Sequence, residues 1–185
     1  MLFRSDPRNL RLDRGRSDWD VGHSVLLSFS SQLPFRAKWI RGWTLAGSGR
    51  AYTGAPFTVR TSNVDLTIGE ANRPDRVAKG TVANPSAQRW YDVAAFPVVP
   101  VGAYHFGTSG RNVLDGPGFM ALNLTMMRNW RIQEFGHLQF RWEAFNVSNH
   151  TNFDLPENLV NAQNAGTIVT AGAARQMQVS LKFVF

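Results

Sequence analysis

At residues 174–185 the chain reads ARQMQVSLKFVF. Apolar and polar residues alternate here with a period of two, which is typical of a β-strand because successive side chains point to opposite faces. The apolar face of this stretch carries Met177, Val179, Leu181, Phe183 and Phe185. The opposite face is largely polar. The pattern therefore predicts a strand that lies between an apolar environment and a polar one.

Four further segments show the same alternation, at residues 21–32, 42–59, 119–132 and 137–147. Their apolar sides carry Val25, Leu27 and Phe29, then Trp43, Leu45, Ala51, Phe57 and Val59, then Met120, Leu122, Leu124, Met126 and Trp130, and finally Leu138, Phe140, Trp142 and Ala144. The second segment is rich in Gly, which weakens a strand or marks a bend. Together the segments predict an all-β chain of about five antiparallel strands.

The connections between these strands alternate in length. Short ones lie near residues 34–41 and 132–136, and long ones cover residues 60–118 and 148–172. Loops this long are unusual in a compact soluble domain. They are typical of a membrane barrel, which has short turns on one side and long outer loops on the other. Strands of ~10 residues also suit a tilted crossing of a bilayer.

Two environments fit the alternation. In a membrane barrel the backbone pairs strand to strand, the apolar side chains face lipid and the polar ones face the lumen. The predicted lipid-facing residues are Leu122, Leu124, Leu138, Phe140, Trp142, Met177 and Val179. Arg141 and Glu143 would then form a pair in the lumen. The alternative is a soluble β-sandwich, a carbohydrate-binding or interaction module, which must bury the apolar face against a second sheet.

The composition argues against several kinds of site. The chain has no Cys, which excludes a disulfide framework and thiolate metal ligands. Its four His residues lack the spacing of a helical metal site, and its 13 acidic residues lie mostly in loops. We therefore expect no catalytic, cofactor-binding or metal-binding residues and no enzyme activity. The net charge is +7, but the Arg residues are spread along the chain, so no nucleic-acid partner is expected.

The sequence shows no apolar run of the ~18 residues that a membrane-spanning helix needs. Nor does the N-terminus, MLFRSDPRNL, contain the apolar region of a signal peptide. We therefore expect the chain to meet a membrane as strands, with its export signal upstream. Aromatic residues in the predicted loops either contact a ligand or pack among themselves; these are Trp90, Tyr91, Phe96, Tyr104 and Phe106.

Several stretches, in this order and spacing, resemble the TonB-dependent receptors that have an Oar-like barrel and a carboxypeptidase-regulatory-like domain. They are GWTLAG and GAPFTV within residues 42–59, ANRPD at 71–75, RWYDVAAF at 89–96, GRNVLDGPG at 110–118 and LQFRWEAFNVSNHTNF at 138–153. The closing stretch resembles the last strand of an outer-membrane protein. In that class the terminal aromatic and the apolar residues before it are a barrel-assembly signal, which falls here on Leu181, Phe183 and Phe185.

The resemblance implies a barrel of about 22 strands with a plug inside it. It also implies a TonB box and energised uptake of an unidentified substrate across the bacterial outer membrane. Residues 1–185 would be one partial β-barrel domain, the C-terminal fragment of such a transporter. Its partners would be outer-membrane lipid, the remaining barrel strands and plug, the barrel-assembly machinery, and the TonB complex through a region that precedes this one.

Overall fold

The computed structural model describes residues 9–34, 37, 41–62, 73–103, 105–132 and 134–185. The strands are β1 (Ser24–Gln32), β2 (Trp43–Tyr52), β3 (Pro56–Phe57), β4 (Thr81–Ser86), β5 (Arg89–Tyr91), β6 (Leu114–Asp115), β7 (Phe119–Ile132), β8 (Gly136–Phe145) and β9 (Gln176–Val184). Short 3-10 helices cover Leu10–Asp13 and Val93–Ala95. Among the described residues, no helix is long and apolar enough to cross a membrane.

The chain divides into two compact units. The sheet unit comprises His23–Tyr52, Phe119–Asn152 and Gly172–Phe185. The loop unit comprises Met1–Gly22, Thr53–Gly118 and Phe153–Ala171. The sequence alone predicted a single partial barrel domain with long loops.

The sheet unit contains one five-stranded antiparallel sheet in the order β1-β2-β7-β8-β9. The predicted antiparallel all-β fold is confirmed. Four of the predicted strands begin and end close to their predicted bounds. The register is continuous, so that Met177 lies opposite Ala144, and Ala144 lies opposite Leu124. Leu124 in turn lies opposite Gly47, and Gly47 opposite Phe29.

Residues opposite one another in an antiparallel pair share a face of the sheet. One face of all five strands is therefore almost wholly apolar, and we call it the apolar face. It carries Val25, Leu27, Phe29, Ser31, Trp43, Leu45, Gly47, Gly49, Ala51, Met120, Leu122, Leu124, Met126, Arg128, Trp130, Ile132, Gly136, Leu138, Phe140, Trp142, Ala144, Met177, Val179, Leu181 and Phe183. The other face, here the polar face, is mostly Ser, Thr, Asn, Gln and charged residues.

The Gly-rich strand β2 is held by side chains of its neighbours. A Cβ atom on Gly47 would lie 2.6 Å from Cε1 of Phe29 and 2.9 Å from Cδ2 of Leu124. The ring of Phe29 thus covers the space that a side chain at position 47 would fill. An aromatic ring that covers a glycine on the neighbouring strand in this way supplies the packing that the glycine lacks.

The prediction of a single strand over residues 42–59 is wrong, because β2 ends at Tyr52. Beyond it, Gly54 packs directly on another segment: a Cβ atom there would lie 1.8 Å from the carbonyl oxygen of Gly116. The next residues form β3, which pairs with β6. Phe57 and Val59 are therefore not on the face of Trp43 but in the core of the loop unit.

The loop unit has a hydrophobic core of its own. Its buried members are Phe57, Val59, Tyr91, Ala95, Phe96, Leu114 and Val160. The Tyr91 hydroxyl donates to the carbonyl oxygen of Glu157 at 3.0 Å, and burial raises the pKa of Tyr91 to about 12. Trp90 packs against this core. Self-packing of these loop aromatics is thus confirmed for Trp90, Tyr91 and Phe96, whereas Tyr104 lies outside the described residues.

The strand β7 is longer than its partner β8, which pairs with it only from Leu124 onwards. The residues that follow β8 form hydrogen bonds with the backbone groups of β7 that β8 does not reach. The Val147 N–H donates to the carbonyl oxygen of Leu122 at 2.8 Å. The Asn152 side chain accepts from the Met120 N–H at 2.7 Å and donates to the Met120 carbonyl oxygen at 3.0 Å. The amide side chain of Asn152 thus makes the two hydrogen bonds to Met120 that a neighbouring strand would otherwise make. These bonds are needed because buried backbone groups require partners.

Asn146 closes the same turn. Its φ of 48° is the left-handed conformation that Asn tolerates better than most residues. Its N–H donates to Oδ1 of Asn123 at 3.0 Å. Its side-chain nitrogen donates to the carbonyl oxygens of His150 at 2.9 Å and Ala173 at 3.2 Å. The several Asn residues of the sequence FNVSNHTNF therefore hold the backbone at the end of the sheet.

We predict that Asn152→Asp lowers the free energy of unfolding by about 1–3 kcal/mol, because a carboxylate cannot donate to the Met120 carbonyl oxygen and leaves it unpaired. Urea titration of the full-length barrel refolded in lipid vesicles measures this loss. Asn84→Asp, at an exposed position of β4, is the matched control and should change stability little. Equal losses in the two variants would show that the amide does not hold this end of β7.

Candidate functional site

The apolar face is exposed along both outer strands of the sheet. On β9, Met177, Val179 and Leu181 are 61%, 64% and 65% exposed, and on β1 Val25 is 64% exposed. A β-sandwich would have to bury these side chains against a second sheet. An apolar surface as continuous as this one is larger than soluble monomers tolerate. The exposure therefore argues against the soluble alternative.

The length of the apolar face matches the hydrocarbon layer of a membrane. From Met120 to Trp130 the strand β7 rises about 33 Å at ~3.3 Å per residue. Strands of membrane barrels tilt by ~40°, which reduces that rise to about 25 Å across the bilayer and equals the height of the usual apolar band. All seven predicted lipid-facing residues lie on this face.

Aromatic rings gather at the end of the apolar face next to the short connections. Trp43 meets Trp130 and Phe140 edge to face, with ring centroids 6.3 and 5.7 Å apart. Phe183 stacks with Phe185 at 6.1 Å. Rings at the ends of an apolar band are typical of membrane interfaces, where an aromatic body meets headgroups. The assembly-signal residues Leu181, Phe183 and Phe185 are all exposed here.

Arg128 lies within this aromatic group and was not singled out from the sequence. It is opposite Trp43 on β2 and Phe140 on β8, so it belongs to the apolar face. The sequence pattern could have predicted this position. The even-numbered residues from Met120 to Trp130 form the apolar side of the alternation, and Arg128 is one of them.

The predicted pair of Arg141 and Glu143 forms on the polar face. Nη2 of Arg141 lies 2.5 Å from Oε1 of Glu143, two residues along the same strand. Nε2 of Gln178 donates to the other carboxylate oxygen at 2.6 Å. Because Gln178 lies opposite Glu143 on β9, the contact links two strands. The arrangement neutralises both charges on one face of the sheet.

Among the described residues, β1 and β9 each pair with a neighbour on one side only. Their outer edges present rows of backbone N–H and C=O groups that can pair with further strands. A barrel in lipid has no such edges, because its sheet closes on itself. Within the described part of the chain, the outer edges of β1 and β9 can thus accept further strands.

In the loop unit, basic and acidic side chains are paired. Arg16 bonds to Asp20 at 2.7 Å and to Asp115 at 2.5 Å. Asp18 accepts from Asn112 at 2.6 Å and from Arg111 at 2.8 Å, and these contacts lower the pKa of the Asp18 carboxyl. Among the described residues of the Arg-rich N-terminal part, Arg16 is thus held by ion pairs on two sides.

His105 bonds through Nε2 to Oδ2 of Asp75 at 3.0 Å, and this hydrogen bond raises the pKa of His105. The other carboxylate oxygen of Asp75 accepts from the Thr108 N–H at 3.1 Å. In the part of the chain that the structure describes, no group of three or more His, Cys, Asp or Glu residues is placed to hold a metal ion.

A family model described as an outer membrane beta barrel domain matches residues 2–178. The match includes four of the five strands of the sheet and the first residues of β9. No curated protein and no solved structure matches the chain. The family match and the antiparallel, two-faced sheet confirm the expected location in the bacterial outer membrane. Since the family model spans nearly all of the sequence, this chain belongs to the outer membrane beta barrel domain family.

Proposed function

We propose that the chain is the C-terminal barrel segment of a TonB-dependent transporter, and that its apolar face lies against lipid while its polar face lines the lumen. The observation that carries the proposal is the two-faced sheet with both outer strands open for pairing. Energised uptake through TonB is the part that rests on the sequence resemblance. The substrate is unidentified.

The number of strands supports a longer protein. The smallest membrane barrels have about eight strands, so the five strands of this sheet cannot close one alone. In a transporter of about 22 strands, roughly seventeen more would join β1 to β9. A plug domain would then fill the lumen, against the face that carries Arg141 and Glu143.

The end of β9 supports a role in barrel assembly. Leu181 and Phe183 alternate on the apolar face, and Phe185 follows them with an exposed fraction of 99%. Phe183 and Phe185 are stacked, and β9 is an outer strand of the sheet. These three side chains are thus accessible to the barrel-assembly machinery, which we propose reads them before the neighbouring strand is added.

The orientation of the two faces gives a prediction. Val179 lies near the middle of the apolar band, so in the full-length barrel Val179→Arg should lower the free energy of unfolding in lipid vesicles by about 2–4 kcal/mol, because an arginine at the bilayer midplane is poorly solvated. Gln178→Arg faces the carboxylate of Glu143 across the strand pair and should cost much less. Denaturant titration of the full-length barrel in vesicles measures both.

Equal penalties for the two variants would contradict the assignment of faces. A larger penalty for Gln178→Arg would reverse it, since the polar face would then be the one in contact with lipid.

The proposal as a whole is tested first at the DNA level. We expect the reading frame to continue upstream of Met1 and to encode a signal peptide, a TonB box, a plug and about seventeen further strands. In that full-length protein, a cysteine in the TonB box should form a disulfide with a cysteine in the TonB subunit. A frame that is closed upstream and served by its own promoter would overturn the transport proposal. A folded full-length barrel without the cross-link would overturn TonB coupling alone.

A further inference from the structure

We propose that Arg128, together with Trp43 and Trp130, binds the phosphate of a phospholipid headgroup in the leaflet next to the short connections. The inference rests on the proposed contact of the apolar face with lipid and is independent of TonB coupling. Such a site is a specific contact between the protein and the phosphate layer of the membrane, which the barrel fold alone does not require.

Arg128 is a charged residue on the apolar face. Of the described residues that the strand register places on the apolar face, Arg128 alone carries a charge. Across the strands it lies opposite Trp43 on one side and Phe140 on the other. A charged residue in an otherwise apolar band is unfavourable in hydrocarbon and marks a functional position when it is present.

Arg128 lies close to one end of the apolar band. Arg128 is two residues from Trp130, where the apolar band measured above ends. For a strand tilted by ~40°, this separation places Arg128 about 5 Å below the edge of the band. The cost of an arginine on a lipid-facing surface is greatest at the midplane and small near the interface. The long side chain of Arg128 spans the remaining distance, with its carbon stem in the apolar layer and its guanidinium among the headgroups.

The guanidinium of Arg128 lies near two indole rings. Its central carbon lies 5.0 Å from the ring centroid of Trp130 and 6.0 Å from that of Trp43. Trp130 lies beyond Arg128 in the direction of the short β7–β8 connection, so the closer ring is on the interface side. Two rings thus hold the guanidinium at the border of the apolar band by attraction to their faces.

The side chains at this position suit a phosphate group. A guanidinium has five N–H donors in a planar fork that matches two oxygens of a phosphate. Trp side chains prefer the same depth in a membrane, with the ring in the apolar layer and the indole N–H towards the headgroups. The charge of Arg128 is complementary to the anionic phosphate layer, which begins where the band ends. The site therefore fits a phospholipid phosphate of the adjoining leaflet.

The test measures the distance between arginine carbon and lipid phosphorus. The full-length barrel that contains this chain, labelled with 13C at arginine Cζ, is refolded in vesicles of phosphatidylethanolamine and phosphatidylglycerol, and solid-state NMR records 13C–31P dephasing. We expect the fastest dephasing component to disappear in Arg128→Gln. The matched control is Arg50→Gln, because Arg50 stacks over Tyr52 at 4.8 Å on the polar face. The loss of Arg50 should leave the fastest dephasing component unchanged.

If Arg128→Gln does not fold, Arg128→Lys serves for the same subtraction, because it removes the labelled carbon and retains the charge. An unchanged fast component in either Arg128 variant would overturn the inference, provided that Val179→Arg is still much more costly than Gln178→Arg. Equal costs for those two variants would instead overturn the proposed orientation of the sheet, and the lipid site with it.

Discussion

Backbone hydrogen bonding is the constraint on which the sheet unit depends. In hydrocarbon an unpaired N–H or C=O group has no water as a partner, so every strand must be paired along its length. The strand β7 meets this demand with β2 on one side and β8 on the other. Where β8 ends, the N–H of Val147 and the side chain of Asn152 take its place. The same demand applies to the outer edges of β1 and β9, and further strands would meet it.

The register that satisfies the backbone also determines the two faces. A slip of one residue would move every apolar side chain of a strand to the polar face. The register is therefore strongly selected, although β2 contributes few side chains of its own. Phe29 and Leu124 compensate by covering Gly47. On the polar face, the contact from Gln178 to Glu143 links β9 to β8 in the same register.

The sequence predicted the strands and their faces because a period of two is a local signal that survives in any environment with one apolar side. It did not predict the end of β2, since that end depends on a close approach between Gly54 and Gly116, which are far apart in the chain. The core of the loop unit was missed for the same reason. The aromatic surroundings of Arg128 depend on the register of three strands, which the alternation within one strand does not specify.

What the positive charge of the chain contacts depends on where each arginine lies in the structure. A net charge of +7 is compatible with a nucleic-acid or membrane-surface partner. In the structure, Arg16 and Arg111 pair with carboxylates of the loop unit, and Arg141 pairs with Glu143 on the polar face. Arg128 contacts aromatic rings on the apolar face. Because a guanidinium binds carboxylates, phosphates and aromatic faces alike, the partner of each arginine follows from the surface that carries it. A strongly basic composition is therefore consistent with membership of the outer membrane beta barrel domain family.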